Sequence, residues 1–381
     1  MEAKDAGDVK GSGGTLEAKG EPVAAPPDPK APAPPPPRLA SVLGEALERM
    51  DARANGTEKP IATPWASFND TMPGGIWPGL HVLVAGTGVG KSTWALQLGL
   101  HAAKRGSPVA YVGLELDSAQ IALRLVGEHA RVGWSKLYTG TASAEQRSRA
   151  RDAARELEAL PFHVEHGAPG GWSAADLLAL AERMARAYPK PAAPMLLAVD
   201  FLQIVGPEPD VGRQELRERI GRAAYVSRHV AREHNAAVLL VSSLGRAAYD
   251  AGENLEKAKL GAELEGAVVA ERFIRNPDAI VGLGKESGEI EYAADTVTVA
   301  LRHTLAVPAS EARNGSSRVV FAVPKVRAGR PSWCELRFDG FRFVDAPDDG
   351  KALAEELAEE KPKAAKARAS SAKASEGIPV P

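Results

Sequence analysis

Residues 80–103, LHVLVAGTGVGKSTWALQLGLHAA, constrain the fold more than any other stretch of the chain. An apolar β-prone run, Leu80–Val84, enters a glycine-rich loop, and the loop opens a helical pattern over Lys91–Lys104. Gly86, Gly88 and Gly90 let the backbone wrap tightly, so that its N–H groups face phosphate oxygens. Thr87, Val89 and Thr93 complete the wrap. At this spacing Lys91 reaches the β- and γ-phosphates of ATP, and the Ser92 hydroxyl holds Mg²⁺. Ala85 stands where the motif usually begins with glycine, and the phosphate-facing positions are intact. These residues imply a P-loop nucleotide site.

The rest of the chain fits a fold built around such a loop. Candidate strands are Leu80–Val84, Val109–Leu114, Phe162–Val164, Met195–Val199, Ala237–Val241, Thr296–Leu301, Val319–Val323 and Glu335–Phe338. Candidate helices are Lys91–Lys104, Ser118–His129, Ala144–Leu157, Ala174–Ala187 and Gln214–His234. Alternation of this kind predicts an α/β domain with a mostly parallel sheet. The strand-rich last part predicts an antiparallel extension at one edge.

Four segments are expected. Residues 1–38 lack aromatic residues, are rich in Ala, Gly and Pro, and carry the run Pro34–Pro37, so they read as a disordered arm. Residues 39–56 read as a linker helix, with Leu39, Val42, Leu43, Ala46, Leu47 and Met50 at helical spacing and Asn55-Gly56 as a stop. Residues 57–346 form the ATPase domain. Residues 347–381 are an Ala/Lys/Glu-rich tail, read as solvated.

Composition excludes several classes. A net charge of −2 over 381 residues is not that of a basic nucleic-acid coat, so any such contact must be a local patch or a ring-lining loop. With Cys334 the single cysteine, no intrachain disulfide and no cysteine-based metal site can form. The first ten residues, MEAKDAGDVK, hold no apolar signal region, and no apolar run is long enough to span a bilayer. The expectation is a cytoplasmic protein with no membrane contact.

Three further motifs carry chemistry. In MLLAVDFLQIV an apolar strand ends in Asp200, where a P-loop fold places a carboxylate beside Mg²⁺. An aspartate there also serves as an ordinary turn cap. In VAYVGLELD a strand ends at Glu115, which would position attacking water if that strand neighbours the loop's strand. Its bland reading is a solvated loop carboxylate. In VVFAVPKVRAGRPSW, Lys325 and Arg327 lie two apart. They read either as a solvated basic turn or as a pair reaching a γ-phosphate on another subunit.

Taken in order, these blocks resemble the ATPase domain of the DnaB-type hexameric replicative helicases, within the RecA-like superfamily. The resemblance runs from about Leu39 to Asp345. PWASFNDTMPGGIWPGLHVLVAG resembles the family's opening segment. VGLELDSAQIALRLV resembles its second motif, which makes Glu115 the catalytic base. AVDFLQIV resembles its metal-binding run, with Asp200 on Mg²⁺. KESGEIEYAADTVTVALR resembles its Glu-Ser-Gly block, where Lys285, Glu286 and Gly288 fall on positions that hold single-stranded DNA. Arg302 falls where a side chain packs on the nucleotide base. PKVRAG resembles the trans-acting pair, Lys325 and Arg327. The resemblance implies a homo-oligomer, a hexameric ring with ATP between subunits, and a helix at 39–56 that docks on the adjacent subunit.

Three departures are visible. Residues 1–38 do not resemble the helical domain that precedes the ATPase in bacterial members. Ser243, in VSSLGR, stands where the family has a glutamine that senses the γ-phosphate. Residues 246–285 look longer than the family's DNA-loop region and mix Lys257, Lys259, Arg272 and Arg275 with many carboxylates. That segment, or the N-terminal arm, would be where replication proteins bind. Two readings follow: a ring motor on single-stranded DNA, or a RecA-like ATPase serving regulation or assembly without unwinding. A recombinase-type filament is a third, opposed by the Glu-Ser-Gly block and the linker helix.

Overall fold

The computed structural model describes residues 37–167, 171–189, 191, 193–208, 214–243, 287–303 and 317–346. The Pro-rich arm to residue 36, the 246–285 segment including Lys285, the adjoining Glu286, and the tail from 347 lie outside the described residues.

Helix α1, Leu39–Ala54, matches the apolar spacing and ends at Asn55, whose N–H donates to the Asp51 carbonyl. None of its residues is buried, and Leu39, Val42, Leu43, Leu47 and Met50 form an exposed stripe. It belongs to the first of two compact units, and the second begins at Gly56.

The second unit is organised by a nine-stranded sheet. Its strands are β1 (Gly79–Ala85), β2 (Val109–Gly113), β3 (Phe162–His166), β4 (Leu196–Asp200), β5 (Ala237–Ser243), β6 (Thr296–His303), β7 (Ser317–Val326), β8 (Ser332–Phe338) and β9 (Phe343–Asp345). The order is β3-β2-β4-β5-β1-β6-β7-β8-β9. Every pair from β3 to β6 is parallel, and β6 to β9 pair antiparallel. This is the predicted RecA-like arrangement of a parallel sheet with an antiparallel edge.

The helices are α2 (Ala66–Thr71), α3 (Lys91–Lys104), α4 (Ser118–Ala130), α5 (Trp134–Tyr138), α6 (Ala144–Glu158), α7 (Ala174–Ala187), α8 (Leu216–Glu233) and α9 (Ser287–Ala293). They cover both faces, which is why the central strands are apolar throughout rather than alternating with polar residues. Side chains still alternate between faces. Leu80, Val82 and Val84 pack with Leu177, Leu180 and Met184 of α7 and with Ile220 and Val230 of α8. Leu83, Tyr111, Leu196 and Ala198 pack with Trp94 and Leu98 of α3 and Ile121 of α4. By the same parity Asp200 faces the α3 side.

The helix starts follow capping rules. The Asp117 carboxylate accepts from the Gln120 N–H at 2.8 Å and opens α4, and Ser143 with Gln146 forms a capping box on α6. The start of α2 is capped from far along the chain. Asp345 accepts from the N–H groups of Ala66 and Ser67 at 3.0 and 3.1 Å, tying the two ends of the domain together.

Candidate functional site

The carboxyl ends of β1, β2, β4, β5 and β6 open on one edge of the sheet. Ala85 stands level with Ser243 of β5 and Ala300 of β6, and Gly113 level with Asp200. In open α/β sheets this is the edge where ligands bind.

The glycine loop leaves β1 at this edge. Gly88 and Gly90 have φ of 76° and 106°, the left-handed region that favours glycine. At Gly90 space is limiting too, because a Cβ would lie 2.8 Å from the Phe343 ring. Phe343 belongs to an aromatic layer beneath the loop, in which Trp65 stacks on Trp94 at 5.1 Å and Phe68 meets Trp94 edge-on at 5.2 Å. Gln97 of α3 locks that layer, accepting from the Phe343 N–H at 2.7 Å and donating to the Phe343 carbonyl at 3.1 Å. The loop is thus held from below while its first-turn N–H groups and the positive end of α3 stay turned to the edge. The Lys91 ammonium folds into the loop, donating to the carbonyls of Ala85 at 3.0 Å and Gly86 at 2.9 Å.

Asp200, the last residue of β4, is buried, with 3% of its surface exposed. The Asp200–Phe201 peptide is cis. A buried carboxylate needs donors, and the Tyr111 hydroxyl supplies one at 2.5 Å. Ser92 lies near the same phenol, so Ser92, Tyr111 and Asp200 are neighbours at this edge. Burial raises the Tyr111 pKa well above its ordinary value, and the Asp200 charge adds to the rise, so Tyr111 stays a donor at neutral pH. Arg124 of α4 faces this group as well as Glu115; its pKa is lowered by burial and supported by Tyr111, Asp200 and Glu115. Its guanidinium lies 4.3 Å over the Trp134 ring.

Glu115 is exposed, two residues beyond the end of β2. Contrary to the adjacency considered from sequence, β2 does not neighbour β1; β4 and β5 stand between them. The reason is topological: from β1 the chain passes the positions of β5 and β4 before it lays down β2, and β4 and β5 later fill the gap. Glu115 comes to the site beside Asp200 instead, since β2 pairs with β4 and the Leu114 N–H donates to the Asp200 carbonyl at 2.8 Å.

Ser243 ends β5 level with Ala85. Its N–H donates to Gln203 Oε1 at 3.2 Å, and Gln203 Nε2 donates to the Ser242 hydroxyl at 2.8 Å. The glutamine after Asp200 therefore braces the end of β5. Arg302 lies in β6 opposite Val319, two residues beyond the Ala85–Ala300 level and so at the loop's edge.

Lys325 and Arg327 lie at the other edge. Lys325 is half-buried in β7 opposite Val297, and Arg327 is the first residue past that strand. Arg327 Nε is 2.8 Å from Asp295 Oδ1, and its N–H donates to the Asp295 carbonyl at 2.8 Å. Asp295 Oδ2 in turn accepts from the Leu80 N–H at 2.9 Å, at the start of β1. The seven residues of β1 span about 20 Å, more than an arginine side chain can reach, so Arg327 does not serve its own loop. Gly288 lies in the first turn of α9, with an added Cβ 3.8 Å from Arg217.

The donor set fits Mg²⁺ with a nucleoside triphosphate. Among the described residues no three His, Cys, Asp or Glu side chains gather as a metal cage. Mg²⁺ asks for none, since it is held by one or two protein oxygens with waters and substrate phosphates. Ser92 in the first turn of α3 and Asp200 at the end of β4 lie at the same edge as a loop shaped for phosphate.

A glycine loop at the carboxyl edge of a parallel sheet, with a buried aspartate beside its serine, defines a RecA-like P-loop protein. Residues 61–343 match the family model of the DnaB-like helicase C terminal domain, and the chain belongs to that family. It is 29% identical over 181 residues to the replicative DNA helicase DnaB of Synechocystis sp. (strain ATCC 27184 / PCC 6803 / Kazusa). The match takes in 47% of this chain and only about a fifth (20%) of that relative's length. Two solved structures share the fold. One, solved as an ATPase domain, superposes with a TM-score of 0.62 at 18% identity, covering 80% of this chain and 99% of that one. The other, a DnaB-like replicative helicase described with its interactions with primase, superposes with a TM-score of 0.63 at 17% identity, covering 82% and 68%.

Sequence reading missed Tyr111, Arg124, Gln203 and the Phe343 layer. A polar aromatic inside the apolar run VAYVG, on the same face parity as the strand's terminal residues, was the available signal for Tyr111. Nothing local marks Phe343, whose role depends on contacts across more than two hundred residues.

Proposed function

We propose that this chain is the ATP-driven motor domain of a DnaB-like replicative helicase, assembling as a hexameric ring and moving along single-stranded DNA. The observation that carries the reading is the convergence of the glycine loop, Ser92, Asp200 and Glu115 on one sheet edge, in a chain of the DnaB-like helicase family. Gly86, Thr87, Gly88, Val89, Gly90 and Thr93 cradle the ATP phosphates, and Lys91 neutralises the β- and γ-oxygens. Ser92 and Asp200 would hold Mg²⁺, which would offset the negative charge of the phosphates. Glu115 orients the attacking water and takes its proton. Arg302 packs on the base.

Arg327 and Lys325 act on the γ-phosphate of a neighbouring subunit, a role supported by their distance from their own loop. Lys285, Glu286 and Gly288 hold the DNA strand. The exposed stripe of α1 docks on the adjacent subunit, as the family resemblance implies. Contacts with replication proteins, of the kind described between the DnaB-like neighbour and primase, fall to the N-terminal arm or to residues 246–285. Among the described residues no helix is long and apolar enough to cross a membrane, in keeping with a cytoplasmic motor.

The test is ATP turnover by purified protein with and without single-stranded DNA, at low and moderate salt. The expected result is strong stimulation by DNA that fades as salt rises, because backbone contacts release counterions. Turnover indifferent to DNA at every salt concentration overturns the motor reading and leaves a RecA-like ATPase that serves regulation or assembly.

A further inference from the structure

We propose that Tyr111 is a positioning residue of the metal site, its hydroxyl fixing the Asp200 carboxylate in the geometry that accepts Mg²⁺. The proposal rests on the nucleotide-site reading above. Three observations carry it. The Tyr111 side chain is fully buried on the α3 face of the sheet, in the core layer that holds Ile121 and its register neighbour Ala198. Its hydroxyl donates to Asp200 Oδ2 at 2.5 Å, within the range of charge-assisted bonds. Ser92, the other side chain proposed to hold the metal, lies near the phenol in the first turn of α3.

A buried tyrosine does need some partner for its hydroxyl. The choice of partner is what gives this one a function. Asp200 is the last residue of β4, so no strand continues past it to hold its side chain. The phenol, anchored mid-sheet on β2, ties this carboxylate to the scaffold. Groups that hold metal ligands from behind in this way typically contribute about 10- to 100-fold to metal affinity.

The measurement is the binding of a fluorescent nucleotide, methylanthraniloyl-ADP, to the full chain as Mg²⁺ is titrated from an EDTA baseline. In Tyr111→Phe the ring and its packing remain, and a thermal melt within a few degrees of wild type verifies the fold. Metal-free nucleotide binding should match wild type, since the loop is untouched. Half-saturating Mg²⁺ should rise about tenfold, and ATP turnover should recover to within about twofold at saturating Mg²⁺. General structural damage would not be rescued by metal. An unchanged or lowered half-saturation in Tyr111→Phe, beside normal wild-type binding, overturns the role of Tyr111 alone. Failure of the wild-type protein to bind nucleotide in any Mg²⁺ overturns the nucleotide site itself and this role with it.

Discussion

The two edges of the parallel sheet are built in opposite ways. At the carboxyl edge the backbone is turned outward: the loop's glycines take left-handed conformations, and Lys91, Ser92, Glu115 and Asp200 arrive from three different strands. At the amino edge the charges are turned inward on one another. Arg327 is paired with Asp295, and Asp295 is bound to the start of β1. The first edge is poised to receive a ligand, while the second presents an arginine held in a defined place about 20 Å from its own loop. Under the proposed function the difference is the mechanism. Each protomer carries two half-sites that face different neighbours, and neither half hydrolyses ATP alone.

The comparison breaks most decisively at Arg327. Arg327→Ala should leave nucleotide binding nearly unchanged and lower ATP turnover by about 10³-fold. Stability should change by no more than about 1 kcal/mol, because the pair with Asp295 is partly exposed. Lys91→Ala should be inactive through loss of phosphate binding. Mixing the two inactive proteins should then regain turnover, because some interfaces pair an intact loop with an intact arginine. If Arg327→Ala turns over normally, or the mixture stays inactive, the edges do not complete each other across subunits.

A smaller effect sharpens the picture of the carboxyl edge. Gly88 and Gly90 are both left-handed, but a Cβ at Gly88 meets nothing within 4 Å, whereas at Gly90 it meets Phe343. Gly88→Ala should cost only the conformational term, about 1–2 kcal/mol. Gly90→Ala should cost about 1–3 kcal/mol more from overpacking. Chemical denaturation of both variants checks the difference, and equal losses would mean that the aromatic layer does not support the loop.

Much of this edge is legible in sequence because its chemistry is local. Lys91–Lys104 is read to the residue, since a glycine loop and a helical period mark its start and course. Asp200 is read from a strand that runs apolar and then stops. What escapes is what depends on topology. The adjacency of β2 to β4 rather than β1 follows from strand order, which hydrophobic pattern does not encode. The elements α2, α5, α9 and β9 are too short to show a period. β9 is three residues long, yet its Phe343 closes the layer under the loop and its Asp345 caps α2. Arg327 was visible as a charge, but its pairing with Asp295 joins the end of β7 to a turn some thirty residues earlier in the chain.

The amino edge yields the smallest effect, through His81. This histidine is buried in β1, with Nε2 2.7 Å from the Trp77 carbonyl and Nδ1 2.7 Å from the Thr296 hydroxyl. The carbonyl only accepts, so Nε2 carries the proton and the neutral ring accepts from Thr296 at Nδ1. Burial lowers the His81 pKa below its ordinary 6.5, against smaller raising effects from the Trp77 hydrogen bond and from Asp295. The unfolded chain thus takes up this proton at a higher pH than the folded one. The His81 contribution is fully present above pH 6.5 and is lost as the pH falls below it toward the folded value. The slope cannot exceed about 1.4 kcal/mol per pH unit, the limit for one proton. His101, lowered by burial and by Arg105 and Lys104, adds a loss of the same sign. Only the difference between wild type and His81→Gln therefore isolates His81. Denaturant titrations from pH 7.5 to 5.5 should show wild type losing more stability than the variant. Parallel pH curves would mean that the amino edge tolerates a charged His81, with Asp295 free to stabilise it, and that this edge is less tightly closed than its hydrogen bonds indicate.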